Sequence, residues 1–449
     1  IRRARMNRKI KKAIELIAFF VYNRIGALFM KLDEQKIVFA SEARESLKGN
    51  LRVMYEKMPE TYVKVVHVKS DRRDSVTLRD TFRLWKDLTT AKYILLDDFY
   101  GLTSAMKVRD GQELVQLWHG SGAFKKFGFS RIETGDNIKS IHTGYRKYTK
   151  AIVTAEPIRE CFAEAFDIDI EKVQAVGSPR TDMFFDEKTI QETKEKVYET
   201  YPELKDKKVV LIAPTYRGRK VEDANYDFDK LNLEKIVSEL GEDYQIVVKW
   251  HPALYSNIKR GICNFDSHKA IDASSYDDIN DLLLVTDILV TDYSSVIFDW
   301  YLLNKPVVYF TYDLEEYEAG RGLYYKFNEY VYGQVATDYI ELVEAIKKED
   351  ALYLVEQTFG QYKAGIKKHI QEPVIPSGTQ KKFVIHDSQF SEEITQIVIQ
   401  YSSLNMTQTD ISAIAYNLEN SSYKNECETI IFTNFICTFY YINCSRIIF

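Results

Sequence analysis

Short runs of branched aliphatic residues recur along this chain, separated by stretches with helical spacing. Lys36–Ala40, Tyr62–Val68, Tyr93–Leu96, the run from Leu114, Ala151–Thr154 and Val173–Val176 read as strands. Thr77–Asp87, Ile138–Tyr148 and Glu156–Phe166 read as helices, the last with Pro157 in its first turn, where proline is tolerated. The second half repeats the pattern. Lys208–Ala213, Tyr244–Lys249, Asp287–Val290 and Lys305–Phe310 read as strands. Leu231–Leu240, Asp277–Val285, Ser294–Leu303 and residues 335–370 read as helices, and Asp313–Phe327 as a tyrosine-rich loop. Such alternation predicts an α/β fold with parallel sheets covered by helices on both faces. At 449 residues the chain is too long for one ordinary domain. The expected division is a lobe at 33–182 and a lobe at 183–370, preceded by residues 1–32 and followed by a tail at 371–449. The tail is rich in Ser, Thr, Asn and Ile, carries Cys427, Cys437 and Cys444, and does not fit either sheet.

Charge narrows the classes of partner. The net charge of −5 argues against a general nucleic-acid binder. Locally the balance reverses: Arg2, Arg3, Arg5, Arg8, Lys9, Lys11 and Lys12 crowd the first twelve residues. Ala13–Met30 follows, apolar but interrupted by Glu15, Asn23 and Arg24, so it does not read as a membrane span. No small-residue cleavage site follows it. The segment is expected to lie as a basic, amphipathic element on an anionic membrane surface. The alternative is a helix packed on the first lobe with its charges solvated. Five cysteines without a Cys-x-x-Cys pair make no disulfide framework and suit a reducing cytoplasm.

Chemistry-bearing residues gather just past strand ends, where open α/β sheets bind ligands. Leu114–Gly122 runs from strand-type residues into Trp118, His119, Gly120, Ser121 and Gly122; Ile246–Pro252 runs into Lys249, Trp250 and His251. A single histidine in such a place is more often structural. Two in the same Trp-His context shift the reading towards function, with a cleft lined by both, because an imidazole titrating near neutrality can take a proton from an alcohol. Thr291–Asp299 carries a strand into Ser294 and Ser295 and then a helix, a candidate anion site, with Asp299 placed to accept from a ligand hydroxyl. Ser294 acting only as a helix cap explains the same pattern equally well. Arg180, Arg217, Lys249 and Arg321 lie in strand-end loops and are candidate phosphate ligands. The Asp-x-Asp pairs Asp167/Asp169 and Asp227/Asp229 sit in polar connecting segments, so no metal site is expected. No Gly-x-Gly-x-x-Gly, Walker or Gly-x-Ser-x-Gly motif occurs.

Five motifs stand in a fixed order: Trp118–Gly122, Gly177–Asp182, Ala213–Arg217, Lys249–Pro252 and Thr291–Ser295 through Asp299. Together they resemble the CDP-glycerol glycerophosphotransferase family of wall teichoic acid synthesis, over about Lys36 to Ile370. The resemblance implies two Rossmann-like lobes in a glycosyltransferase-B-like arrangement, working at the cytoplasmic face of the cell membrane. It implies His119 and His251 as the functional histidines. It also implies that Trp118, Gly120, Ser121, Gly122, Arg180, Pro214, Thr215, Lys249, Trp250, Ser294, Ser295 and Asp299 line a CDP-glycerol site, with Arg217 and Arg321 as candidates for an acceptor phosphate. The implied partners are CDP-glycerol, or CDP-ribitol, and a lipid-linked glycan or glycerol phosphate acceptor, with no cofactor. A nucleotide-sugar glycosyltransferase and a membrane-surface protein with a degenerate transferase fold are the competing readings.

Overall fold

The computed structural model describes residues 2–68, 77–134, 140–218, 221–327 and 331–350, together with the backbone of short strands between residues 370 and 447. Two compact units result. The first comprises Ile1–Glu192 with Ser295–Leu302 and Glu318–Tyr324; the second holds the remainder.

The first unit is built on six parallel strands: β1 (Asp33–Ser41), β2 (Val63–Val68), β3 (Ala91–Leu96), β4 (Glu113–Gln116), β5 (Lys150–Val153) and β6 (Val173–Ala175). Their spatial order is β2-β1-β3-β4-β5-β6, so the direction of winding reverses between β1 and β3. Around them lie α1 (Arg2–Phe29), α2 (Gly49–Lys57), α3 (Leu78–Thr90) and α4 (Arg159–Phe166); α5 (Glu187–Thr200) leads into the second unit. Helix α3 starts on a capping box in which Thr77 and Asp80 satisfy each other's backbone donors.

Helix α1 is fastened to this unit at two points. Phe19 is buried against Trp85, and Asn23 donates to Thr89 Oγ1 at 3.2 Å while accepting from the Lys107 amide at 2.7 Å. Its opposite side leaves Ile14, Ile17, Leu28 and Phe29 exposed, beside exposed Leu78 and Phe82 of α3. A groove of about 640 Å³ between the two helices is lined by apolar side chains including Ile17, Val21, Ile25 and Phe82. No helix among the described residues is long and apolar enough to cross a membrane. The side chains of residues 1–9, which carry much of the expected basic charge, lie outside the described set.

The second unit has its own six parallel strands: β7 (Lys208–Ile212), β8 (Tyr244–Val248), β9 (Ile271–Asp272), β10 (Ile288–Thr291), β11 (Val307–Phe310) and β12 (Gln334–Ala336). The order β12-β11-β10-β7-β8-β9 is the doubly wound dinucleotide-fold order, with its reversal between β7 and β10. All four residues of β10 and of β11 are buried, as expected for strands covered on both faces. The helices are α6 (Phe228–Leu231), α7 (Leu233–Leu240), α8 (Pro252–Lys259), α9 (Ile279–Val285), α10 (Val296–Trp300), α11 (Leu314–Arg321) and α12 (residues 339–350). Of these, α10 and the end of α11 belong to the first unit.

Several expectations need correction. The predicted helix Ser294–Leu303 is only α10 plus a 3-10 turn at Tyr301–Leu303. The tyrosine-rich loop contains α11, whose first turn carries Glu315 and Glu316, where acidic side chains suit a helix start. Residues 335–370 are not one helix: β12 occupies the beginning, α12 follows, 351–369 lie outside the described residues, and Ile370 opens a strand. Ile138–Tyr148 is a 3-10 helix over Ser140–Lys147, with residues 135–139 outside the description. The tail contributes short antiparallel strands to a separate four-stranded sheet.

Candidate functional site

The winding reversals select which loops matter. In the first unit they are the loops after β1 and β3, with the β4 loop beside them. His119 stands in the β4 loop with its side chain 40% exposed. Its Nδ1 is 3.2 Å from the Asp97 carbonyl and 3.8 Å from the Asp98 carboxylate, both directly after β3. A carbonyl can only accept, so Nδ1 carries the proton and Nε2 is left basic. Asp97 itself is buried and paired with Arg44 at 2.9 Å.

The backbone that delivers His119 is clamped at every turn. Trp118 has φ +56°, a left-handed conformation that is strained for a bulky residue. Its amide donates to Gln116 Oε1 at 2.9 Å, and the indole lies between the His119 ring at 4.5 Å and Phe127 at 4.6 Å. Ser121 donates its hydroxyl to Asp299, and its carbonyl accepts from Thr154. A Cβ on Gly122 would meet the Phe298 ring at 2.3 Å, so this glycine makes room for packing. Gly120 has its nearest non-neighbour side chain, Ser295, at 3.7 Å from such a Cβ.

Asp299 is fully buried. It accepts from Ser121 and is ion-paired with Arg180, whose side chain is 14% exposed. The expected contact of Asp299 with a ligand hydroxyl is therefore corrected: its oxygens are already engaged and closed to solvent. Trp118 and Trp250 are likewise packing residues rather than lining residues. Trp118 is buried as described, and Trp250 is 1% exposed among Tyr226, Phe228 and Phe265.

In the second unit the loops after β7 and β10 flank the reversal, and Asp292 ties them together. Its buried carboxylate accepts from the Thr215 amide at 2.8 Å, the Tyr293 amide at 2.6 Å and Arg217 Nη1 at 2.6 Å. Arg217 also forms a two-pronged pair with Asp313 and sits 5.1–5.2 Å from the rings of Tyr226, Tyr293, Tyr312 and Tyr317. Burial opposes its charge, but Asp292 and Asp313 outweigh that and hold the guanidinium protonated. Arg217, expected at an acceptor phosphate, is held by the buried Asp292 and the half-buried Asp313. Pro214 is buried beside Thr215, and Ser294 and Ser295 are half-buried at the start of α10. A five-residue helix lends those hydroxyls little dipole support, which weakens the expected anion site. Arg321 ends α11 within the stretch Glu318–Tyr324, which belongs to the first unit, and its neighbours Gly322 and Tyr324 bond to Lys126, Phe124 and Ser130.

His251 is the N-cap of α8: its Nδ1 accepts from the Ala253 amide at 3.2 Å, and its ring lies 4.8 Å from Tyr216. With Nδ1 accepting, the neutral ring keeps its proton on Nε2. Lys249 donates to the carbonyls of Ala273 (3.4 Å) and Tyr276 (2.6 Å), so it braces the loop after β9. The two neutral rings are thus held in opposite tautomers, with the proton on Nδ1 in His119 and on Nε2 in His251. Asp97, Asp98 and Asp292 escaped sequence reasoning, although each directly follows or ends a strand that it had placed.

Residues 22–363 match the family model described as CDP-Glycerol:Poly(glycerophosphate) glycerophosphotransferase. The chain belongs to this family. Among similar proteins of the glycerophosphotransferase family, a teichoic acid poly(ribitol-phosphate) polymerase of Bacillus spizizenii is 41% identical over 348 residues, covering 76% of this chain and 55% of that protein. A teichoic acid ribitol-phosphate primase of the same species is 32% identical, covering 73% of this chain and 86% of that one. A teichoic acid glycerol-phosphate primase of Bacillus subtilis is 33% identical, covering 57% and 65%. The chain spans 55%, 66% and 57% of the three ribitol-phosphate polymerases it matches. A variant form of the wall teichoic acid polymerase TagF shares the fold with TM-score 0.60 at 20% identity, over 88% of this chain and 98% of that one. The family fold, two parallel-sheet units of glycosyltransferase-B-like type, is as expected.

Proposed function

We propose that this chain transfers a polyol phosphate from a CDP-linked alditol to a lipid-linked teichoic acid acceptor, releasing CMP. The observation that carries the reading is the His119 tautomer: Asp97 holds the proton on Nδ1, so Nε2 serves as base. The acceptor hydroxyl loses its proton to Nε2 and attacks the β-phosphorus of the donor. A new P–O bond forms as the bond to the CMP oxygen breaks, and CMP leaves as a phosphate monoester needing little protonation. The protonated ring is stabilised by Asp98 at 3.8 Å. His251, a donor through Nε2, and the Ser294 and Ser295 hydroxyls supply hydrogen bonds to the diphosphate.

The sequence reading favours glycerol as the polyol. Ribitol is supported by one observation: relatives named for ribitol phosphate reach 41% identity, whereas those named for glycerol phosphate reach 33%. The exposed apolar face of α1 and α3, with the basic residues at 2–12, supports docking on the cytoplasmic, anionic surface of the membrane. Incubation with CDP-glycerol or CDP-ribitol and a lipid-linked acceptor, scored by CMP release and product mass, tests the transfer. His119→Ala should lower CMP release by about 10²–10⁴-fold with donor binding retained. Near-normal turnover removes His119 from the role, and no release from any CDP-alditol removes the reading. Sedimentation with anionic vesicles tests the docking, which Ile17→Glu/Phe29→Glu should weaken; unchanged sedimentation rejects it.

A further inference from the structure

Asn50 opens α2, far in sequence from every motif above, yet its side chain is 2% exposed and all four of its hydrogen-bonding capacities are used. Its amide nitrogen donates to the Leu117 carbonyl at 3.0 Å and to the Trp118 carbonyl at 2.9 Å. Its oxygen accepts from Ser178 Oγ at 3.0 Å and from the Arg180 amide at 2.9 Å. One planar group therefore joins the peptide immediately before His119 to the peptide that carries Arg180. The joined loops meet again at Asp299, which takes Arg180 from one side and Ser121 from the other.

We infer that Asn50 is a positioning residue for His119. It holds the left-handed Trp118 peptide from the carbonyl side while Gln116 holds it from the amide side. A strained peptide of this kind persists only when its surroundings over-determine it. Relaxation of Trp118 to an ordinary φ turns the following residue away, and the imidazole leaves the Asp97 carbonyl that fixes its tautomer. The role in catalysis rests on the proposed function; the role in holding the loop does not.

The chemistry of the amide supplies a selective test. Asn50→Asp keeps the shape and the acceptor towards Ser178 and Arg180, but it turns a carboxylate oxygen towards two carbonyls and removes both donors. Asn50→Ala removes all four bonds. Amide hydrogen exchange by mass spectrometry is measured on the full chain, with the β8 segment at residues 244–250 as internal reference. Asn50→Asp should accelerate exchange at residues 117–122 and spare 178–182, whereas Asn50→Ala should accelerate both. CMP release is measured alongside: kcat should fall about 10²-fold in Asn50→Asp, with KM for the donor within about threefold of wild type. Should Asn50→Asp misfold, Ser178→Ala with Asn50→Ser supplies the comparison, the second alone loosening residues 117–122. Unchanged exchange at 117–122 overturns the loop role. Altered exchange with kcat unchanged overturns the catalytic one. An inactive wild type with the expected exchange pattern rejects the function and leaves the positioning intact.

Discussion

The Arg180–Asp299 pair decides whether the loops around His119 form one unit, and its worth can be worked out. Asp299 is completely buried and Arg180 nearly so, so each ion has given up most of its hydration. Their mutual attraction, about 4 kcal/mol at an effective dielectric near 20, roughly repays that loss. The pair is thus close to neutral against two apolar groups, but either ion left alone is expensive. Arg180→Met takes the counter-ion from a buried carboxylate that also accepts from Ser121 and should cost about 3–4 kcal/mol. Asp299→Asn strands the guanidinium at the edge of solvent and should cost about 2–3 kcal/mol. Together they should cost about 3 kcal/mol, giving a coupling of about 2–4 kcal/mol. Pulsed thiol labelling in urea, read peptide by peptide, isolates the first unit through buried Cys161, with half-buried Cys263 reporting the second. Single effects that add to within about 0.5 kcal/mol refute the coupling. If Arg180→Met leaves stability untouched and raises KM for the donor alone, Arg180 is a ligand contact and the pairing argument fails.

Lys305 is half-buried just before β11, donating to the Thr286 carbonyl, and desolvation pulls its amine down to about 8. The folded state therefore binds fewer protons than the unfolded chain between about pH 8 and 10.5, so stability from this group rises with pH across that window. Lys305→Met should stabilise by about 1 kcal/mol at pH 7, with the gain fading towards pH 10; a gain that grows with pH refutes this. Nitrogen NMR of the neutral rings should find the proton on Nδ1 in His119 and on Nε2 in His251, and the reverse pattern overturns their assigned roles.

The strands were legible because burial on both faces writes itself as uninterrupted aliphatic runs, as in Val209–Ile212 and Ile288–Val290. Helix α8 was not, because Pro252 reads as a break although at the first helical position it marks a start. Helix α2 has too few apolar residues in phase to announce itself. The histidines could be found because each follows a strand, a local signal. The residues that hold them could not. Asn50 acts on groups 67 to 130 positions away, and Asp292 on an arginine 75 positions away. Such partnerships arise only once the sheets bring strand ends side by side.

The buried carboxylate of Asp292 gathers three donors from two segments of chain, and the acid itself has no water to fall back on. Opening the β7 segment alone would take the Thr215 amide and Arg217 from the acid and leave it the Tyr293 amide, and opening the β10 segment alone would leave Arg217 to Asp313. The cheapest excursion keeps all three bonds and carries both segments together. Motion at this end of the sheet should therefore carry the β7 and β10 segments as one jaw.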